Sequence, residues 1–204
     1  MTCAANATGC LPMQRGMIGP QATLDNVAEL FALEEDGGLT QFPGAVDFVQ
    51  GSAMAGGVFI VVRIKDKRIS ADLNYLKVGR GNYFAFFRPY HLWFLEAPIS
   101  IAKAYINGEA TLQPLARPCA DVMTIAKRDL KVGETLDTFG GYTFHGVMDR
   151  AETVRKLNSL PAGLAPGAKL TQPISAGDVI TWDDVLLDEE CIVVKLRREQ
   201  DRSI

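Results

Sequence analysis

The chain has 204 residues, 48% of them hydrophobic and 22% charged, with a formal net charge of -3. That composition supports one large or two small packed domains and excludes an intrinsically disordered chain. The slight negative charge, with bases and acids interleaved as in Lys65-Asp66-Lys67-Arg68, excludes a general attraction to nucleic acid or anionic lipid.

The longest apolar runs, Gly57 to Val62 and Tyr83 to Phe87, are too short to cross a bilayer, so no membrane span is expected. No basic region opens the chain, whose first basic residue is Arg15, so a secretory signal is not expected either. The cysteines at 3, 10, 119 and 191 form no C-x-x-C pair, which suits reduced, unreactive thiols in a cytoplasm.

Met1 to Met17 is small and polar without a helical or strand period, and reads as a stretch from within a longer protein. Thr23 offers an N-cap to a helix whose face is Leu24, Val27, Ala28 and Phe31, ended by Gly37-Gly38. From Gly44 the pattern turns to strands. Val58 to Ile64 places Ile60, Val62 and Ile64 on one face and Arg63 and Lys65 on the other. Asp66 to Asn82 reads as a polar connection, and Tyr83 to Arg88 as an aromatic strand stopped by Pro89. Pro98 suits the first turn of a helix carrying Ile99, Ala102, Lys103 and Ile106, closed by Asn107-Gly108. A boundary is expected at about residue 118, between Pro114 and the strands that follow Pro118.

The C-terminal third repeats itself. Leu130-x-x-Gly133-Glu134-x-Leu136 and Ile174-x-x-Gly177-Asp178-x-Ile180 align at an offset of 44, as in Leu130 to Ile174. Each copy reads as strand, tight turn, strand, and two such halves bury their apolar faces by packing about a pseudo-dyad. Between them, Asp149-x-x-Glu152 resembles a capping box before a short helix.

The stretch Asp121 to Val185 resembles the SAF domain on Ile125 to Glu134, Leu160-Pro161-Ala162-Gly163-Leu164 and Ile174 to Val185. Six further segments resemble SAF-bearing, homoserine-dehydrogenase-like oxidoreductases, a family that includes the deoxyxylulose-phosphate reductoisomerase-like enzymes. They are Ala5 to Gly9, Arg15 to Met17, Asn74 to Gly79, Arg88 to Leu92, Ala97 to Ala102 and Gly140-Gly141-Tyr142. The fold implied is α+β: a mixed catalytic and dimerising segment over 1–118, a β-clip SAF domain with an internal pseudo-two-fold over 119–190, and a charged tail over 191–204. The resemblance implies an NAD(P)-dependent oxidoreductase acting on a small polar, phosphorylated or unphosphorylated, carbonyl substrate, and a homodimer. It allows a divalent metal, but no metal-ligand spacing is legible. The family's Rossmann half has no counterpart: no G-x-G-x-x-G follows a strand, and Gly79-x-Gly81 lacks the third glycine. NAD(P)H is therefore expected to bind only where a Rossmann domain is supplied upstream or by another chain. The alternative is a stand-alone SAF-type binding module for a sugar-acid-like ligand, without redox chemistry.

Reduction of a carbonyl calls for an acid–base group and for cations that hold the substrate's anionic parts. Within the family motifs, His91 and Tyr90 are the candidate catalytic residues, and Arg88, Lys77, Asn6 and Thr8 the candidate substrate ligands. Each has a plainer reading. Arg88 fits an ion pair at a strand end, Lys77 a solvated loop charge, Asn6 and Thr8 a turn, and Tyr90 and His91 structural hydrogen bonds. His145 and Asp183-Asp184 read as structural parts of the repeat region.

Overall fold

The computed structural model describes residues 1–90 and 92–203. Helices and strands are mixed, and the strands of the two larger sheets pair antiparallel, giving an α+β chain. In order they run α1 (Thr2–Thr8), β1 (Leu11–Pro12), α2 (Val27–Leu30), β2 (Ala45–Val46), β3 (Val58–Arg63) and α3 (Lys67–Tyr75). Then come β4 (Gly79–Arg80), β5 (Tyr83–Arg88), α4 (Trp93–Ala102), β6 (Ala120–Ala126), β7 (Phe144–Arg150) and α5 (Ala151–Lys156). The chain ends with β8 (Lys169–Leu170), β9 (Val179–Ile180), β10 (Val185–Leu186) and α6 (Ile192–Arg202). No helix among the described residues is long and apolar enough to cross a membrane.

Two compact units result: an inserted unit, Ile18–Gln113, and a flanking unit made of Met1–Met17 together with Pro114–Ile204. The inserted unit is built on an antiparallel sheet in the order β3-β5-β4, with Ile60 opposite Phe86 and Arg63 opposite Tyr83. Phe59, Val61, Ala85 and Phe87 fall on one side of the pleat and pack with Leu30 and Phe31 around Ala22, Val27 and Met54. The opposite side carries Val58, Ile60 and Phe86 into solvent. The face of Ile60 is open at this end, while Phe84 on the same face is buried.

The flanking unit centres on the sheet β7-β6-β9 and a core of Leu130, Leu136, Phe144, Leu160, Leu170 and Ile180, none more than 2% exposed. Its internal repeat is visible in the backbone. Leu130 and Ile174 exchange N–H···O bonds with each other, at 2.8 and 3.1 Å. Gly133 donates to Leu170 as Gly177 donates to Ala126, and Leu170 donates to Glu134 as Ala126 donates to Asp178. Each bond returns with the two copies exchanged, the pattern an approximate two-fold axis between them requires. Gly133 and Gly177 both hold positive φ, 78° and 87°, in matching turns.

Several local expectations are revised. Met1 to Met17 contains α1, whose C-cap Gly9 has φ 78° and donates to the Ala5 carbonyl. The polar connection after β3 contains α3, because the Asp66 side chain accepts from the N–H groups of Arg68 and Ile69 and caps it. The helix expected from Thr23 shrinks to Val27–Leu30, since Thr23 is drawn into a turn by the Asn26 side chain. Pro98 lies inside α4, which starts five residues earlier at Trp93. Asp149 does not cap α5: its carboxylate accepts from Arg15 and from the Arg150 N–H.

Candidate active-site cleft

Arg63 and Tyr83 are the last residue of β3 and the first of β5, and the antiparallel register sets them opposite each other. Cross-strand partners on one face approach to within side-chain contact. A turn over Leu33–Gly38 delivers the third group. The Glu34–Asp36 3-10 helix ends at Gly37 with φ 90°, a left-handed conformation that favours glycine. At Gly38 a Cβ would stand 2.1 Å from the Ala32 carbonyl oxygen, so the turn closes this tightly only on glycine.

The result is a connected polar cluster. The Tyr83 hydroxyl donates to Asp36 Oδ2 at 2.6 Å and accepts from the Leu33 N–H at 3.2 Å. Arg63 Nη1 donates to Glu35 Oε1 at 2.7 Å and to Asp36 Oδ2 at 3.0 Å. The Tyr83 hydroxyl, and then the Arg63 guanidinium, hold the Asp36 carboxyl below the usual carboxylate range. Glu35 and then Asp36 push the guanidinium the other way, so Arg63 stays charged at any working pH. Asp36 and Tyr83 line a cavity of about 460 Å³ together with Glu29, Ala32, Gly37, Gly81 and Asn82. That volume lies in the range of small-molecule sites, roughly 300–1,000 Å³.

The sequence-derived site residues lie elsewhere. Arg88 ends β5 at the opposite end from Tyr83 and forms an ion pair with Glu96. Tyr90 follows it and is 59% exposed. Lys77 stands at φ 57° between α3 and β4. His91 lies outside the described residues. Asn6 and Thr8 belong to the flanking unit and have their partners within it. Asn6 Oδ1 accepts from the N–H groups of Cys119 and Ala120, and its Nδ2 donates to the Ala120 carbonyl. The Thr8 hydroxyl donates to the Ala4 carbonyl at 2.7 Å. Among the described residues, no hydrogen bond or ion pair joins Lys77, Arg88 and Tyr90 to one another.

Sequence reasoning passed over Arg63, Tyr83 and Asp36. A signal was present: an aromatic hydroxyl and a guanidinium bounding two adjacent strands, with a run of three acids, Glu34-Glu35-Asp36, before a glycine pair. What the sequence lacks is the register that makes them neighbours.

Residues 1–97 match the family model of the Oxidoreductase DRL catalytic domain. The match places this part of the chain with an oxidoreductase family, and the Tyr83 cleft lies entirely within it. No curated protein matches the chain. The described residues do not suit a nicotinamide dinucleotide. Gly79 and Gly81 flank a strand turn rather than a strand-to-helix turn, and at α3, which follows β3, the Asp66 carboxylate rather than a glycine-rich turn occupies the helix N-terminus. Among the described residues, no three His, Cys, Asp or Glu side chains gather as a metal-ligand set.

Proposed function

We propose that this chain is the catalytic and dimerising part, with an attached SAF module, of an NAD(P)-dependent oxidoreductase resembling homoserine dehydrogenase and the reductoisomerase-like enzymes. Its substrate is a small polar carbonyl compound. The observation that carries the reading is the joined Tyr83–Asp36–Arg63 cluster on a cleft inside the segment that matches an oxidoreductase catalytic domain. In the cleft the Tyr83 hydroxyl exchanges its bond to Asp36 for one to the carbonyl oxygen, and supplies the proton that turns an alkoxide into an alcohol. Arg63 stays charged beside it and favours that developing negative charge. The nicotinamide nucleotide is bound by a domain outside the described residues.

The test is NADPH consumption with 1-deoxy-D-xylulose 5-phosphate, and NADP+ reduction with L-homoserine. Each is run on the chain alone and with a dinucleotide-binding domain supplied. Activity only in the supplemented samples is expected. No turnover in either, with the nucleotide bound, removes the oxidoreductase reading. Arg88→Ala belongs in the same series. If it abolishes substrate binding while Tyr83→Phe leaves it and turnover intact, the reacting centre belongs at the far end of β5, with Tyr90 and His91.

We also propose a homodimer formed through the inserted unit. β3 is an edge strand of β-branched residues, without the lysine or proline that guards most edges. Its Val58 and Ile60 are exposed, and α4 has no buried residue despite Trp93, Phe94, Leu95 and Ile99. So large an apolar surface calls for cover. Light scattering is expected to give twice the chain mass, and Ile60→Lys to give the monomer mass. A wild-type monomer at high concentration overturns the dimer.

One observation favours a second reading, a SAF-type module that binds a sugar-acid-like ligand without redox chemistry. The flanking unit holds its own cleft of about 200 Å³, where Asp121, Arg155, Asn158, Trp182 and Arg197 converge. Stabilisation of the chain by D-galacturonate following mass action supports it, and an unchanged melting curve removes it.

A further inference from the structure

The geometry points to a reversible disulfide between Cys10 and Cys119 that clasps the N-terminal segment onto the head of β6. The chain leaves the flanking unit after Met17 and re-enters it at Pro114, so these two cysteines stand on either side of the 18–113 insertion. They meet inside one unit. Cys119 Sγ lies 3.1 Å from the Ala5 carbonyl oxygen, 3.5 Å from Asn6 Oδ1 and 3.7 Å from the carbonyl oxygen of Cys10. Standard bond lengths then put the Cys10 Cα within about 6 Å of that sulfur. Adding the roughly 2.8 Å from the Cys119 Sγ to its own Cα, the two Cα atoms stand within about 9 Å, so a local approach of at most about 2 Å brings them into the roughly 4.4–6.8 Å span of natural disulfides. Rotation about χ1 is what brings the Cys10 sulfur onto its partner.

The surroundings hold the two segments in register. The Leu115 N–H donates to the Asn6 carbonyl, the Ala151 N–H donates to the Cys119 carbonyl, and Asn6 ties Cys119 and Ala120 to α1. Both thiols are partly exposed, so a soluble disulfide can reach them. Cys3 lies on the exposed side of α1, and Cys191 packs against the distant core of the repeat.

The oxidant required is a low-molecular-weight disulfide such as oxidised glutathione. The Cys10 thiolate attacks it, forming a Cys10–glutathione bond and releasing one glutathione thiolate. The Cys119 thiolate then attacks the Cys10 sulfur, forming the internal S–S bond and releasing the second glutathione. Two protein thiols are oxidised, one glutathione disulfide is reduced, and the two protons given up by the protein thiols are taken up by the two released glutathione thiolates. Burial pushes the Cys119 thiol above its ordinary pKa, with nearby Cys10 adding to this, so the second step quickens as pH rises above neutral. A bridge that encloses so long a loop narrows the unfolded ensemble, and the oxidised chain melts at a higher temperature.

The experiment treats the full chain with oxidised glutathione, titrates free thiols and maps cross-linked peptides. The expected result is loss of two thiols and one internal link joining the Cys10 and Cys119 peptides, reversed by dithiothreitol, with a raised melting temperature. Cys3→Ser and Cys191→Ser form the same link. Cys10→Ser stops at glutathione adducts. A link through Cys3, a link between two chains, or glutathione adducts alone on the wild-type chain overturns the clasp.

Discussion

Tyr83→Phe is expected to lower turnover of the reconstituted oxidoreductase by about 10²-fold or more, the usual cost of removing a positioned proton donor. Stability should fall only modestly: two hydrogen bonds are lost, the one to Asp36 and the one from the Leu33 N–H, while the ring keeps its packing. The variant has a second signature. The Tyr83 hydroxyl is the largest influence holding the Asp36 carboxyl below the ordinary carboxylate range. A depressed carboxylate pKa stabilises the fold above the unfolded-state value, and that contribution disappears as pH falls through the folded-state value. In the wild-type protein the Asp36–Arg63 contact therefore persists below the ordinary aspartate pKa of 3.8. In Tyr83→Phe the carboxyl protonates at higher pH, closer to that value, which NMR titration of the Asp36 carboxyl carbon reads directly. Lost activity together with the shifted titration supports the cleft as the reacting centre. A shifted titration with full activity makes Tyr83 a structural residue and the cleft a bystander.

What the sequence disclosed depends on how local the cause was. The repeat around Gly133 and Gly177 was legible because both halves carry the same turn chemistry. The structure returns it as exchanged backbone bonds between equivalent residues. The Tyr83–Arg88 strand was legible as well, since its aromatic run is bounded by Gly81-Asn82 and Pro89. α3 was hidden because KRISADLNY is polar, and its anchor is the single cap at Asp66 rather than an apolar stripe. α1 was hidden because most of its residues are small, and it is fixed by Asn6 reaching residues more than a hundred positions away. The cleft escaped for the same reason. Asp36, Arg63 and Tyr83 converge through strand register and a glycine turn, neither of which leaves a periodic mark. Motif resemblance pointed instead to Arg88, Lys77 and Tyr90, which the structure leaves unconnected to one another.

Asn6→Ala is the substitution expected to damage the fold most per atom removed. Asn6 Oδ1 is the acceptor for two successive backbone donors, Cys119 N at 2.8 Å and Ala120 N at 2.9 Å. Its Nδ2 returns a bond to the Ala120 carbonyl at 3.0 Å. Ala120 is 1% exposed, so water does not readily replace the lost partner there. Stranding a buried backbone polar group costs about 1–3 kcal/mol, and Asn6→Ala strands more than one, for an expected loss of about 2–4 kcal/mol. Asn6→Asp separates the contributions. Its carboxylate still accepts both N–H groups but faces the Ala120 carbonyl without a donor, so the loss should be smaller than in the alanine variant. The chain's tryptophans divide between the units, Trp93 in the inserted one and Trp182 in the flanking one. Urea unfolding followed by Trp182 fluorescence in a Trp93→Phe background therefore reports the unit that Asn6 holds together. Early unfolding of that unit, least in Asn6→Asp, fixes Asn6 as the tie between α1 and β6. A wild-type unfolding midpoint combined with weakened substrate binding would instead return Asn6 to the substrate-ligand role that its motif implied.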